Sequence, residues 1–133
     1  IMGDDGISGD SGYTPLHYAA REGHDACVSL LLGRGANVNS ATRAGGATPL
    51  HRAAFTGQER CVAMLLDADA DPLVVDADGE SALHKASARG HPGVVRALLA
   101  AKGGDGAVGL RDRKGMTPVE RAADDATRAA FGT

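Results

Sequence analysis

Five histidines, two cysteines, a run of alternating aspartates and a glycine-rich loop are the residues of this 133-residue chain that could carry chemistry. Histidine can ligate zinc or move protons near neutral pH. His17, His51 and His84, however, stand 34 and 33 residues apart, each directly after a leucine. His24 and His91 share a second recurring position, with Gln58 between them. Histidines on such a schedule belong to a repeat, and are expected to hydrogen-bond backbone and neighbouring turns. Units stacked at a helix-packing distance of about 8–10 Å hold adjacent imidazoles too far apart to share one zinc.

Cys27 and Cys61 also occupy one site in consecutive units, where Val94 stands in the third. The expectation is a small buried apolar residue, beyond disulfide reach of its counterpart. Asp67-Ala68-Asp69-Ala70-Asp71 opens like a calcium loop. Such a loop needs Gly sixth and Glu twelfth, where this chain has Pro72 and Asp78, so a solvated acidic hairpin is expected. Gly103-Gly104-Asp105-Gly106 follows a predicted helix, whereas a phosphate cradle follows a strand and opens a helix. A flexible finger is expected there. The sequence thus offers no catalytic residue, no metal site and no cofactor.

The elements that position these residues follow from the repeat. Gly12-Tyr13-Thr14-Pro15-Leu16-His17 recurs at Gly46–His51, at Gly79–His84 and more loosely at Gly115–Glu120. The steps between the leading glycines are 34, 33 and 36 residues. The extra residues fall at Ala44–Gly46 and in Lys102–Gly109, between predicted helices, where a loop accommodates them at little cost. Each unit reads as helix, turn, helix and extended loop. Thr14, Thr48, Ser81 and Thr117 are N-caps by type, and Pro15, Pro49 and Pro118 follow at the first helical position. Gly23, Gly57 and Gly90 stand where the first helices must stop, and Gly35 ends the first of the second helices. Asp69 replaces Gly35 in the second unit and is expected to take the same left-handed conformation. Val28, Leu31 and Leu32, with their counterparts Val62, Leu65, Leu66 and Val95, Leu98, Leu99, make the apolar stripe of each second helix.

Composition agrees with a single small domain. Hydrophobic residues make up 43% and charged residues 23%, enough for one core and too little for two ordinary domains. Seventeen acids against fourteen Lys and Arg give a formal charge of −3, which argues against a phosphate-gripping nucleic-acid binder. No apolar run approaches a membrane span, so no membrane association is expected. Two cysteines without a disulfide framework point to an intracellular, cytoplasmic or nuclear, location. The chain opens Ile1-Met2, and its N-terminal edge is expected to be cut.

The signature G-x-T-P-L-H-x-A-A-x-x-G-H is nearly intact at Gly12–His24 and well kept at Gly46–Gln58 and Gly79–His91. On these residues the chain resembles ankyrin-repeat proteins from residue 12 to about 131. GYTPLHYA at Gly12–Ala19, the GGATPLHRA stretch with Gly45, VVDADG at Val74–Gly79, ALHKA at Ala82–Ala86 and RDRK at Arg111–Lys114 resemble more closely the ankyrin repeat domain-containing protein thirty-nine family. That family usually carries another helix pair upstream. The resemblance implies an all-α solenoid of stacked helix-turn-helix units with hairpin-like loops. Its expected division is an N-terminal arm or remnant at 1–11, repeats at 12–45, 46–78 and 79–114, and a capping repeat at 115–133. In the last unit Val119 and Glu120 replace Leu and His, Ala126 stands where Gly ends the other first helices, and Thr117–Glu120 reads as a capping box.

Without visible chemistry, function is expected on a surface. With Leu50 set toward the core and a turn of about 100° per residue, Ala53 and Ala54 stay inward while Arg52, Phe55 and Thr56 face away. Their counterparts are Tyr18, Arg21 and Glu22; Lys85, Ala88 and Arg89; and Arg121, Asp124 and Asp125. Tyr13 precedes the first cap at the same edge. The resemblance implies that this concave side contacts targets. Tyr13, Tyr18, Arg21, Arg52, Phe55, Lys85, Arg89 and Arg121 are therefore the expected partner-binding residues, forming a basic groove for an acidic, partly apolar protein segment. The plainer reading is that long Arg and Lys chains solvate an open helix face. Three functions stay open: a non-enzymatic adaptor or scaffold, a structural subunit of a larger assembly held through its end and its convex or loop surfaces, and an enzyme, for which no constellation is found.

Overall fold

A computed structural model describes residues 12–132. The arm expected over residues 1–11 lies outside the described residues. The helices are α1 (Pro15–Glu22), α2 (Asp25–Gly33), α3 (Pro49–Thr56), α4 (Glu59–Asp67), α5 (Ala82–Ala88), α6 (Pro92–Ala100) and α7 (Asp125–Ala129), with 3-10 turns at Gly104–Gly109 and Val119–Arg121. Among the described residues there is no strand. The first helices α1, α3 and α5 pack in one layer, and α2, α4 and α6 in a second layer behind them.

Local chemistry accounts for each first helix. Thr14, Thr48 and Ser81 are extended at the N-cap, and their hydroxyls accept the N–H of the histidine three residues on. That histidine returns the contact, because the cap's own N–H donates to its Nδ1 at 3.1 Å in all three units. Gly23 and Gly57 close α1 and α3 in the left-handed conformation, at φ of 75° and 76°. Asp69 takes φ of 72° after α4, as its place opposite Gly35 leads one to expect.

No unit could bury its apolar face alone; stacking supplies the core. Leu16, Leu50 and Leu83 from the first helices and Val28, Val62, Val95, Leu65 and Leu98 from the second are all buried. Leu31, Leu32, Leu66 and Leu99 pack against this core while half-buried. The loops form turned fingers, each closed across its base by a main-chain bond, from Thr42 N–H to Ala47 C=O, Asp76 to Glu80 and Asp112 to Met116, all 2.9 Å, and by a second bond back from Gly46, Gly79 or Gly115. Neighbouring fingers join through Ala77 N–H to Gly45 C=O at 2.9 Å and Arg113 N–H to Asp78 C=O at 3.0 Å.

Two expectations need correction here. Cys61 is buried, with its thiol donating to Asp25 Oδ1 at 3.1 Å, but Cys27 is exposed. No described unit covers the side of α2 that corresponds to the side of α4 facing α2. The glycine-rich stretch is not an open finger: Gly104–Gly109 coils into a 3-10 turn that buries Ala107 against α6. Gly104 sits so close to the Leu98 carbonyl that no side chain fits there.

The fourth unit differs most. Half of its capping box forms: Thr117 N–H donates to Glu120 Oε1 at 2.8 Å, but no side chain caps the helix, which is one 3-10 turn ending at Arg121. Ala126 does not end this helix; it lies within α7. Asp124 N-caps α7, accepting from Thr127 N–H at 2.8 Å and Thr127 Oγ1 at 2.6 Å. It packs by Gly90 as His91 packs by Gly57, so neither Asp124 nor Asp125 extends the concave helix face. A chain without glycine at 126 gains more by leaving the helix early and capping the next one with Asp124 than by forcing alanine into a left-handed exit.

Candidate functional site

The histidines serve the stack. With Nδ1 of His17, His51 and His84 accepting from the cap, the proton belongs on Nε2, which donates to the next unit. The acceptors are Ala47 C=O at 2.7 Å, Glu80 C=O at 2.8 Å and Met116 C=O at 2.9 Å. Burial pushes the imidazoles of His17 and His51 below their ordinary 6.5, which keeps them neutral in this role. The second recurring position acts likewise: Gln58 Nε2 donates to Arg21 C=O at 3.2 Å, and His91 Nε2 meets Phe55 C=O at 3.0 Å. His51 lines a recess that also holds Asp76, Asp78 and Lys85, but both of its ring nitrogens are engaged, by Thr48 and by Glu80 C=O.

The concave side carries the eight expected residues in two kinds of surroundings. Toward the first unit they form an aromatic and guanidinium cluster. Arg21 lies over the Tyr13 ring at 6.0 Å and the Tyr18 ring at 5.5 Å, and Arg52 lies over Tyr13 from the other unit at 5.5 Å. Tyr13 itself stacks on His17, with centroids 5.2 Å apart. One unit further on, Arg89 lies over the Phe55 ring at 4.7 Å. Tyr18 and Phe55 are the exposed rings of this side, at 44% and 37%. Thr56, expected to face away, turns its hydroxyl back to Arg21 C=O at 2.7 Å.

Lys85 and Arg121 are surrounded differently. Lys85 Nζ sits between Asp76 Oδ2 at 2.8 Å and Glu80 Oε1 at 2.6 Å. Arg121 binds Asp112 Oδ2 at 2.7 Å. The carboxylates also organise the fingers, since Oδ1 of Asp76 accepts from Asp78 and Glu80, and Oδ1 of Asp112 from Lys114 and Met116. Burial works to raise the Asp76 carboxyl, but the Lys85 ammonium and the Glu80 N–H outweigh it and hold it below its ordinary value. The same bonds overcome burial at Lys85 and hold its ammonium above its ordinary value. Asp76, Asp78 and Glu80 bring three carboxylates within 4.8 Å, and the Lys85 ammonium already bonds two of them.

The groove is therefore less basic than its helix residues alone indicate. The helix wheel reads Lys85 and Arg121 as outward charges and misses Asp76 and Asp112, which lie in the fingers rather than on helices. A signal was present: each stands three residues before the glycine of its finger, Gly79 or Gly115. Arg21 pairs with its exposed neighbour Glu22 at 2.8 Å, an arrangement that neutralises little. Arg52 and Arg89 have no ion-pair partner among the described residues, and Arg52 Nε is buried there without a hydrogen bond. A recess lined by Arg52, Phe55, Ala77, Asp78 and Lys85 opens beside them.

Comparison with known proteins agrees with this architecture. A family model described as ankyrin repeats (3 copies) matches residues 2–76, and one described as ankyrin repeats (many copies) matches residues 56–99. The E3 ubiquitin-protein ligase KEG of Arabidopsis thaliana is 37% identical over 109 residues, covering 81% of this chain and 7% of that protein. The scaffold protein ILK of Homo sapiens is 50% identical over 34 residues, covering 26% of this chain and 8% of its own, and that of Mus musculus matches equally. The chain thus spans less than a tenth of the length of these relatives. Repeat period, cap chemistry, the histidine bonds between units and the family models converge: the chain belongs to the ankyrin-repeat family.

Proposed function

We propose that this chain is a non-enzymatic protein-interaction module, an adaptor or scaffold, that holds a segment of a partner protein on its concave side. The observation that carries this reading is the row of Tyr18, Arg21, Arg52, Phe55 and Arg89, exposed at Tyr18, Phe55 and Arg89 and half-buried at Arg21 and Arg52, in which rings and guanidinium groups lie together. Rings and arginines presented together are the usual anchors of protein interfaces. Tyr13, Lys85 and Arg121 complete the proposed surface from behind, as supports. The units that present it are taken as 12–45, 46–78, 79–114 and 115–133. No helix among the described residues is long and apolar enough to cross a membrane. We take the module to work in a reducing compartment, in keeping with its two free cysteines. Within its family we place it nearest ankyrin repeat domain-containing protein thirty-nine, on the motifs at Gly12–Ala19, Val74–Gly79 and Arg111–Lys114.

Affinity purification from native cells with lysine cross-linking and mass spectrometry tests the proposal. The parent is compared with a Phe55→Glu, Arg89→Glu variant. A partner cross-linked near Lys85 or Lys114 in the parent and lost in the variant is the expected result. Partners retained in full by the variant, with links near Lys102, refute it. That outcome favours the second reading, a subunit fixed in an assembly by its end. One observation supports this alternative: an apolar recess between Pro15, Leu16, Leu31 and Ala36 at the first unit, beside the 56%-exposed Leu30.

A further inference from the structure

Three cations occupy one equivalent position, four residues after the cap: Arg52 after Thr48, Lys85 after Ser81 and Arg121 after Thr117. Each of these three caps is preceded by a finger, and in each finger one side-chain oxygen accepts the N–H of the residue just before the cap. The pairs are Thr42 Oγ1 with Ala47 at 3.1 Å, Asp76 Oδ1 with Glu80 at 3.0 Å and Asp112 Oδ1 with Met116 at 3.0 Å. Thr42, Asp76 and Asp112 are therefore structural counterparts, even though the inserted Gly45 moves Thr42 one place further from its cap. The second oxygen of Asp76 binds Lys85, and that of Asp112 binds Arg121. A hydroxyl has no second oxygen. The cation of this unit, Arg52, consequently keeps a buried Nε without a partner and makes no ion pair among the described residues.

We infer that Arg52 is the specificity-determining residue of the concave surface, and that a Glu or Asp side chain of the bound protein segment takes the place at Arg52 that Asp76 and Asp112 fill in the next two units. The inference rests on the proposed concave-side reading and deepens it. A guanidinium already laid over the Tyr13 ring, at 5.5 Å, is pre-oriented to receive a carboxylate along its open edge. Asp78 lines the same recess, so a singly charged carboxylate fits the local balance better than a doubly charged phosphate. Phe55, with Arg89 over one side of its ring at 4.7 Å, gives an apolar platform beside that position. The segment recognised is thus one with an acidic residue next to an apolar or aromatic one. The other cations of that equivalent position, Lys85 and Arg121, place the fingers rather than read the segment.

The test uses a random twelve-residue peptide library panned on the full chain, followed by fluorescence anisotropy of one enriched peptide with each variant. Enrichment of Asp or Glu beside apolar residues is expected. Arg52→Gln should weaken that peptide about ten- to hundred-fold, as loss of a charge-assisted bond does. Thr42→Asp should weaken it comparably while leaving the melting temperature unchanged or raised, because it fills the place from within the chain. Arg96→Gln, an exposed change on α6, should leave binding within about two-fold and so controls for net charge. Output without carboxylate enrichment overturns the inference, as does an affinity unmoved by Arg52→Gln. If such a peptide is still lost in a Tyr18→Ala, Phe55→Ala variant, the concave-side reading survives without it. A peptide indifferent to every one of these variants overturns both.

Discussion

Replacing His51 by alanine tests the stack at its most connected point. The ring makes three contacts: Thr48 N–H to Nδ1 at 3.1 Å, Thr48 Oγ1 with Nδ1 at 2.8 Å, and Nε2 with Glu80 C=O at 2.8 Å. His51→Ala leaves the buried Thr48 N–H without its partner, while the Glu80 carbonyl loses one of two donors and keeps the Asp76 N–H. The orphaned N–H costs about 1–3 kcal/mol and the lost bond to Glu80 about 0.5–1.5, so the change should destabilise by about 1.5–4.5 kcal/mol before any cavity is counted. That is a large fraction of the about 5–15 kcal/mol typical of a small domain. His24→Ala provides the internal comparison. His24 is exposed, makes no hydrogen bond through its ring and only tilts against Tyr18, so its loss should cost within about 0.5 kcal/mol. Urea unfolding at pH 7.5, followed by circular dichroism, reads both. Equal midpoints for the two variants would refute the claim that the recurring histidines join the units.

Acid should act through the same rings. Burial lowers the imidazoles of His17 and His51 below 6.5 in the folded chain, so below that pH the unfolded chain binds more protons. Stability should be level above 6.5 and fall as pH drops from 6.5 toward the lowered folded values, by up to about 1.4 kcal/mol per pH unit per ring. Thermal melts between pH 7.5 and 5.5 check this, and a flat profile contradicts it. Leu65→Ala, at a fully buried position in the middle unit, should cost about 2–5 kcal/mol in urea unfolding. Asp69→Gly should raise stability by up to about 1 kcal/mol, since glycine adopts φ of 72° without steric cost; a lowered midpoint would count against it. At pH 8 a thiol reagent should modify exposed Cys27 quickly and spare Cys61, whose thiol is buried and pushed up to about 12 by burial and by Asp25. Two equally fast thiols would disprove that.

Three features of the fold are legible in the residues because they recur. Thr14, Thr48 and Ser81, the glycines after α1 and α3, and the Val and Leu stripe each announce their role by standing in the same place in successive units. What depends on a single departure is harder to read. The fourth unit keeps the cap pattern at Thr117 but lacks a glycine exit, and the competing cap at Asp124 shortens it. The inserted glycines look like a free loop, yet Ala107 supplies enough apolar surface to fasten them to α6. At the candidate surface Phe55 and Arg89 are exposed, as the helix wheel reads them, while Arg52 is half-buried. The wheel omits Asp76 and Asp112, because a periodicity argument follows helices and is blind to acids that reach over from turns.

The two layers of the stack are fastened very differently, and this bears on its mechanics. The helix layers share continuous buried side-chain faces, which resist compression and sliding as close-packed matter does. The fingers meet their neighbours through a few hydrogen bonds, such as Ala77 N–H to Gly45 C=O, Arg113 N–H to Asp78 C=O and Arg113 Nη1 to Ala77 C=O. Bending that spreads or gathers the fingertips therefore meets far less resistance than bending that shears the helices. Opening the fingers would change the width between them while the spacing of Tyr18, Phe55 and Arg89 along the helices stays fixed.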